Sequence, residues 1–168
     1  LRLNPNGTLD STFGTNGSTV TSFSVQNDLT QAMTQQSDGK ILISGTILDT
    51  VTFFNVPSII RFTENGFIDS TFGTNGVVQI PVIAVDNELT SIAIQANGKI
   101  VAAGHYSNIF AGFDDFDILV IRVDSTGVLD SLFGNGGIVK TSINGGVDDS
   151  FGMQIDLEGK IVVCGFTS

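Results

Sequence analysis

Residues Asp69–Gly76 read DSTFGTNG, and the same eight letters stand at Asp10–Gly17. A variant, DSLFGNGG, occupies Asp130–Gly137. The Phe-Gly glycines of the three copies are Gly14, Gly73 and Gly134, which lie 59 and 61 residues apart. Two further anchors keep that step. Gly39-Lys40, Gly98-Lys99 and Gly159-Lys160 form one set. Arg2, Arg61 and Arg122, each five residues before a Gly, form the other. Three anchors that share one step define an internal repeat of about 60 residues, and repeats govern the fold. The units run over 10–68, 69–129 and 130–168, the last incomplete.

Each unit reads as short strands and turns. In the middle unit GVVQIPV (76–82) is a short strand. LTSIAIQ (89–95) sets Ile92 and Ile94 on one face, with Ser91 and Ala93 on the other. KIVAAG (99–104) is almost continuously apolar, as suits a strand covered on both sides. DILVIRV (117–123) is the fourth strand. Asp38-Gly39, Asn97-Gly98 and Glu158-Gly159 separate two strands each and suggest type I′ hairpins. Glu158 suits positive φ least, so the third turn is expected to differ.

Composition agrees with an all-β chain. Of 168 residues 41% are hydrophobic and only 14% charged, with 20 Gly. Four short strands per 60-residue unit point to a β-propeller, with a β-solenoid as the alternative. The net charge is −10, with seven Lys and Arg. Nucleic-acid binding needs a basic footprint that this chain lacks. No apolar run reaches the roughly 18 residues of a membrane span, so no membrane insertion is expected. A single Cys excludes an internal disulfide. A start at Leu1 rather than Met suggests a piece of something longer.

The pattern R-(L/F/V)-x-x-x-G-x-(L/I)-D-S-(T/L)-F-G-x-x-G, followed by (D/N/E)-G-K-I-(L/V), resembles the bacterial delta-60 repeat along essentially the whole chain. That resemblance implies β-propeller units of secreted or surface-anchored bacterial proteins. It implies no catalytic residue and no cofactor. In propeller lettering the chain runs C-D, A-B-C-D twice, then A-B, which makes three blade equivalents. Since propellers commonly use four to eight blades, the expected partners are further repeats of a longer chain or a second copy completing the ring.

Six of the seven basic residues occupy repeat anchors, Lys140 being the exception. Each Arg is expected to pair with a recurrent carboxylate at Asp10, Asp69 or Asp130. Phe13, Phe72 and Phe133 are expected to plug the gap between layers, and the leading Asp to cap turn N–H groups. Cys164 aligns with Ser44 and Ala103 and reads as a small buried core residue. His105 aligns with Thr46 and Phe166 and reads as an exposed or partly packed side chain.

Acidic loops remain after the scaffold is accounted for. GFDDFD (112–117) lies in the longest loop, near Tyr106 and Phe110. Tyr106, Phe110, Asp114, Asp115 and Asp117 are the candidate partner-contact residues for a protein or glycan, since loops on a rigid scaffold carry recognition. Ile47–Val56 is the matching segment of the first unit. Carboxylates in NDL (27–29), DNEL (86–89) and GVDDS (145–150) bring calcium into consideration, although no cofactor is expected. The reading is a noncatalytic extracellular or cell-surface module of a larger bacterial protein. The alternative is part of a carbohydrate-active propeller enzyme. It would draw on Asp28, Glu88 and Asp149, which in sequence have no His or basic partner nearby, and on blades outside this chain.

Overall fold

The computed structural model describes residues 1–24, 28–81, 86–107, 116–143 and 145–168. Among them every regular element is a strand. The strands are β1 (Leu29–Gln35), β2 (Ile41–Leu48), β3 (Asn55–Phe62), β4 (Val77–Gln79) and β5 (Asn87–Ile94). They continue with β6 (Ile100–Ser107), β7 (Phe116–Val123), β8 (Ile138–Thr141), β9 (Asp148–Ile155) and β10 (Ile161–Thr167). Two four-stranded antiparallel meanders form in the orders β1-β2-β3-β4 and β5-β6-β7-β8, and β9 pairs with β10 as a hairpin. No helix is long and apolar enough to cross a membrane among the described residues.

The sequence unit and the sheet are out of phase. The short strand that opens the middle unit is β4, and it pairs with β3 of the unit before it. The motif copies at Asp69–Gly76 and Asp130–Gly137 therefore join the third strand of a sheet to its own fourth strand. The strand expected over 76–82 regularises only at Val77–Gln79, and its last residue lies outside the described residues.

The three sheets stack face to face in chain order, with β5 against the first sheet and β9 against the second. Residue alternation explains the layers. On β6, Ile100 and Ala102 point into the first interface with Leu42, Ile59 and Ile92. Val101 and Ala103 point the other way, against Met153, Ile155, Ile161 and Val163. β6 is thus buried on both faces, as its unbroken apolar run requires.

The hairpin turns are not type I′. Gly39, Gly98 and Gly159 have positive φ, but Asp38, Asn97 and Glu158 do not. In each turn the Gly N–H donates three residues back: to Gln36, Gln95 and Asp156. A type I turn followed by a left-handed Gly is the geometry of the three-residue hairpin loop. Only the Gly must reach the left-handed region, so Glu158 costs nothing and the third turn matches the other two.

Candidate functional site at the sheet ends

The repeated motif builds a joint, and its chemistry is the same three times. Arg2 Nε donates to Asp10 Oδ2 at 2.8 Å, Arg61 Nε to Asp69 Oδ2 at 2.8 Å and Arg122 Nε to Asp130 Oδ2 at 2.7 Å. Each guanidinium also lies over a motif ring, Phe13, Phe72 or Phe133, at 4.9, 4.5 and 4.3 Å. The other carboxylate oxygen accepts from the backbone two residues on, at Thr12, Thr71 and Leu132. Lys40 and Lys99 reach the same carboxylates, Asp69 at 3.3 Å and Asp130 at 2.7 Å. The shared step of the Lys and Asp anchors was the sequence signal for that contact.

The joint also reaches into the next sheet. Arg2 Nη1 donates to Glu64 O at 2.7 Å and Arg61 Nη1 to Ser125 O at 2.6 Å. Gly14 N–H donates to Asn65 O, and Gly73 N–H to Thr126 O. A Cβ on Gly73 would stand 2.3 Å from Val77 O, so this site admits only Gly. A Cβ on Gly66 would stand 2.7 Å from the Phe13 ring, and one on Gly127 would stand 2.6 Å from Val78 and 3.1 Å from the Phe72 ring. Phe72 is fully buried and Phe13 nearly so, while Phe133 is half-buried.

Outside the joints, a group of polar side chains meets at one end of the sheets. Asp86, Glu88, Asp149, His105 and Phe116 line a cavity of about 460 Å³. His105 is buried on β6, edge-on to Phe116 at 4.9 Å between ring centres. Its Nδ1 lies 2.7 Å from Asp149 Oδ1. A carboxylate only accepts, so this contact places a proton on Nδ1. Sequence reasoning left Asp149 without a His partner; the sheet packing supplies one from 44 positions away. Glu88 accepts from the Gln31 amide of the preceding sheet.

Asp28 does not join them. Its Oδ2 accepts from Phe23 N–H at 2.6 Å and Ser24 N–H at 3.3 Å. Partial burial alone would raise its pKa, and these amides outweigh that and hold it low. Asp148 plays the same part, accepting from Ile143 N–H at 2.6 Å. Both brace the loop before a first strand, so the trio Asp28, Glu88 and Asp149 does not converge.

The proposed contact loop is described only at its two ends. Tyr106 O–H donates to Asp117 Oδ2 at 2.7 Å, and Lys140 Nζ stands over the Tyr106 ring at 4.0 Å. Partial burial lowers the Lys140 pKa, opposed by Asp117. Phe110, Asp114 and Asp115 lie outside the described residues. Ser107 and Phe116 are paired neighbours, and Phe116 lines the His105 cavity. Among the described residues no three His, Cys, Asp or Glu side chains cluster to hold a metal ion. Cys164 is exposed, correcting the expectation of a buried thiol. Its aligned residues Ser44 and Ala103 are fully buried because another sheet covers them, which among the described residues is not so for β10.

A family described as "Domain of unknown function (DUF5122) beta-propeller" matches residues 1–13, 36–72 and 95–133, just over half of the chain. The chain belongs to this β-propeller family. The matched segments hold the three Arg–Asp–Phe sets and the hairpin turns at Gly39 and Gly98. No curated protein matches the sequence.

Proposed function

We propose that this chain is a noncatalytic segment of a β-propeller, built of four-stranded blades of about 60 residues, in a secreted or surface-attached bacterial protein. It serves as a structural unit and as a platform for a protein or glycan. The observation that carries this reading is the division of labour among polar residues. Arg2, Arg61, Arg122, Lys40 and Lys99 are all engaged in the joints. Residues that vary between repeats, His105 among them, line the cavity at the sheet ends. A cavity of this size with three carboxylates, an imidazole and an aromatic edge suits a polar ligand rich in hydrogen-bond donors.

Calorimetric titration with neutral and amino-bearing oligosaccharides tests the reading. Binding that is lost in Glu88→Gln and Asp149→Asn, with unchanged melting temperatures, supports it. Failure of every ligand to bind, together with no effect of replacing 108–115 by a short Gly-Ser linker on capture of any surface protein, removes the platform role.

The His105–Asp149 pair favours one second reading, an acid–base site of a carbohydrate-active propeller completed by other blades. Release of reducing ends from a polysaccharide, abolished in Asp149→Asn, would establish that reading and displace the noncatalytic one.

A further inference from the structure

The chain carries seven Asn-Gly pairs, which begin at Asn6, Asn16, Asn65, Asn75, Asn97, Asn135 and Asn144. In such a pair the Gly backbone nitrogen can attack the Asn side-chain carbonyl carbon, because no Cβ on the second residue stands in the way. A nitrogen whose N–H is hydrogen-bonded must first break free by local opening. The fold therefore decides which pairs react. Gly7, Gly17, Gly66, Gly76 and Gly98 each donate their N–H to a backbone carbonyl, at 2.8 to 3.0 Å. Asn144 lies outside the described residues. Gly136 N–H has no hydrogen-bond partner among the described residues. We propose that Asn135–Gly136 is a site of self-modification, converted without an enzyme through a cyclic imide to aspartate and isoaspartate, with water as the co-reactant.

A one-residue shift in the motif creates the site. Thr15, Thr74 and Asn135 bridge to Ser18, Val77 and Ile138 across two residues of positive φ, so a type I′ turn tips each motif. The first two copies place Asn-Gly at the two central positions of that turn. Their attacking nitrogens belong to Gly17 and Gly76, which are bonded to Phe13 O and Phe72 O. The third copy, FGNGG, moves the pair back by one position. Its attacking nitrogen then sits at the first central position, where the N–H groups of Asn16 and Asn75 also lack a backbone acceptor among the described residues. The carboxamide is unrestrained as well. Asn6 Oδ1 accepts from Thr8 N–H and Asn97 Oδ1 from Lys99 N–H, whereas the Asn135 side chain makes no hydrogen bond among the described residues.

Asn135 and Gly136 are exposed, and a Cβ on Gly136 would meet nothing within 4 Å. Cover by a neighbouring sheet does not change this. Thr15, Asn16, Thr74 and Asn75 are exposed although a following sheet packs on both of those joints. The same tip therefore stays in water when further chain covers the third joint. The chemistry balances. The Gly136 nitrogen loses its proton to hydroxide and bonds to Asn135 Cγ, and the side-chain nitrogen leaves as ammonia. Water then opens the imide at either carbonyl. Opening at Cγ restores the main chain with an aspartate. Opening at the main-chain carbonyl routes the chain through Cγ and adds one methylene to a two-residue turn. Either product adds a negative charge to the third joint.

Ageing the full chain at mildly alkaline pH, followed by tryptic mapping by mass, tests the proposal. Cleavage after Arg122, Lys140 and Lys160 leaves Asn135 as the one Asn of 123–140 and Asn144 as the one Asn of 141–160. Asn135 is expected to convert from amide to acid at least about tenfold faster than any Asn of 62–99, whose Asn-Gly nitrogens are all bonded. Enzymatic carboxyl methylation of 123–140 is expected to detect the isoaspartate. Asn135→Thr combined with Gly136→Asn restores the TNG order of the other copies. Conversion in 123–140 is then expected to fall to the rate of 62–99. In urea, which frees every amide, the Asn-Gly pairs of the wild type are expected to approach one rate. A rate at Asn135 no greater than in 62–99, or an undiminished rate in the double variant, overturns the proposal. A difference that persists in urea assigns the selectivity to local sequence and overturns the role of the unbonded Gly136 amide.

Discussion

The joint at Arg61–Asp69–Phe72 and the joint at Arg122–Asp130–Phe133 have nearly the same letters and the same internal bonds. They differ in what covers them. Phe72 has the following turn at Ser125–Gly127 pressed upon it and is wholly buried. Phe133 is half-buried, and Arg122 Nη1 turns back to Gln95 within its own sheet. Local sequence builds the ion pair and the ring contact. Stability comes from the neighbouring sheet, as expected where each unit contacts only its neighbours.

Truncating the two rings is the strongest way to break that comparison. Phe72→Ala is expected to cost about 3–5 kcal/mol, and Phe133→Ala no more than about 2 kcal/mol, by urea unfolding. Equal losses would mean that the following sheet adds nothing. The guanidinium comes next. Arg61→Ala leaves a buried carboxylate with Lys40 alone and is expected to cost about 3 kcal/mol. Arg2→Ala, at a much more exposed pair, is expected to cost less than about 1 kcal/mol.

Acid titration sharpens the same contrast. The hydroxyl and N–H of Thr71, with Lys40 and Arg61, hold the Asp69 pKa down to about 2 against the opposing effect of burial. A carboxylate depressed in the folded state stabilises above its unfolded pKa, and that stability is lost as pH falls toward the folded value. Asp69→Asn is therefore expected to flatten the stability profile between roughly pH 4 and pH 2, by on the order of 1 kcal/mol after solvent screening. The smallest effect belongs to the hairpins. Gly98→Ala and Gly159→Ala, at equal φ and in open space, are each expected to cost about 1 kcal/mol. A marked difference between them would contradict the shared turn geometry.

The parts of this fold legible from sequence are those built within one repeat. The 59 and 61 spacings placed Arg, Asp and Phe in one motif, and short-range geometry did the rest. Contacts between repeats were not legible in the same way. His105 and Asp149 meet because β9 stacks on β6, and nothing in either local sequence encodes that. Exposure of Cys164 was misread for a related reason. Its alignment with Ser44 and Ala103 describes a covered position, and cover is supplied by the next sheet. The hairpin turns were misassigned because Asp-Gly and Asn-Gly serve two loop types, and the choice depends on where the strand ladder ends. Within the candidate contact loop, Tyr106 and Asp117 are bonded to each other at its root.

Amide hydrogen exchange at Gly73 and Gly134 tests the central claim most directly. Gly73 N–H donates to Thr126 O of the next sheet at 2.8 Å, and Gly134 N–H has no backbone acceptor among the described residues. Strong protection at Gly73 with fast exchange at Gly134 is the predicted result. Free exchange at Gly73, or equal protection at both, would contradict the claim that each joint is locked by the sheet that follows it.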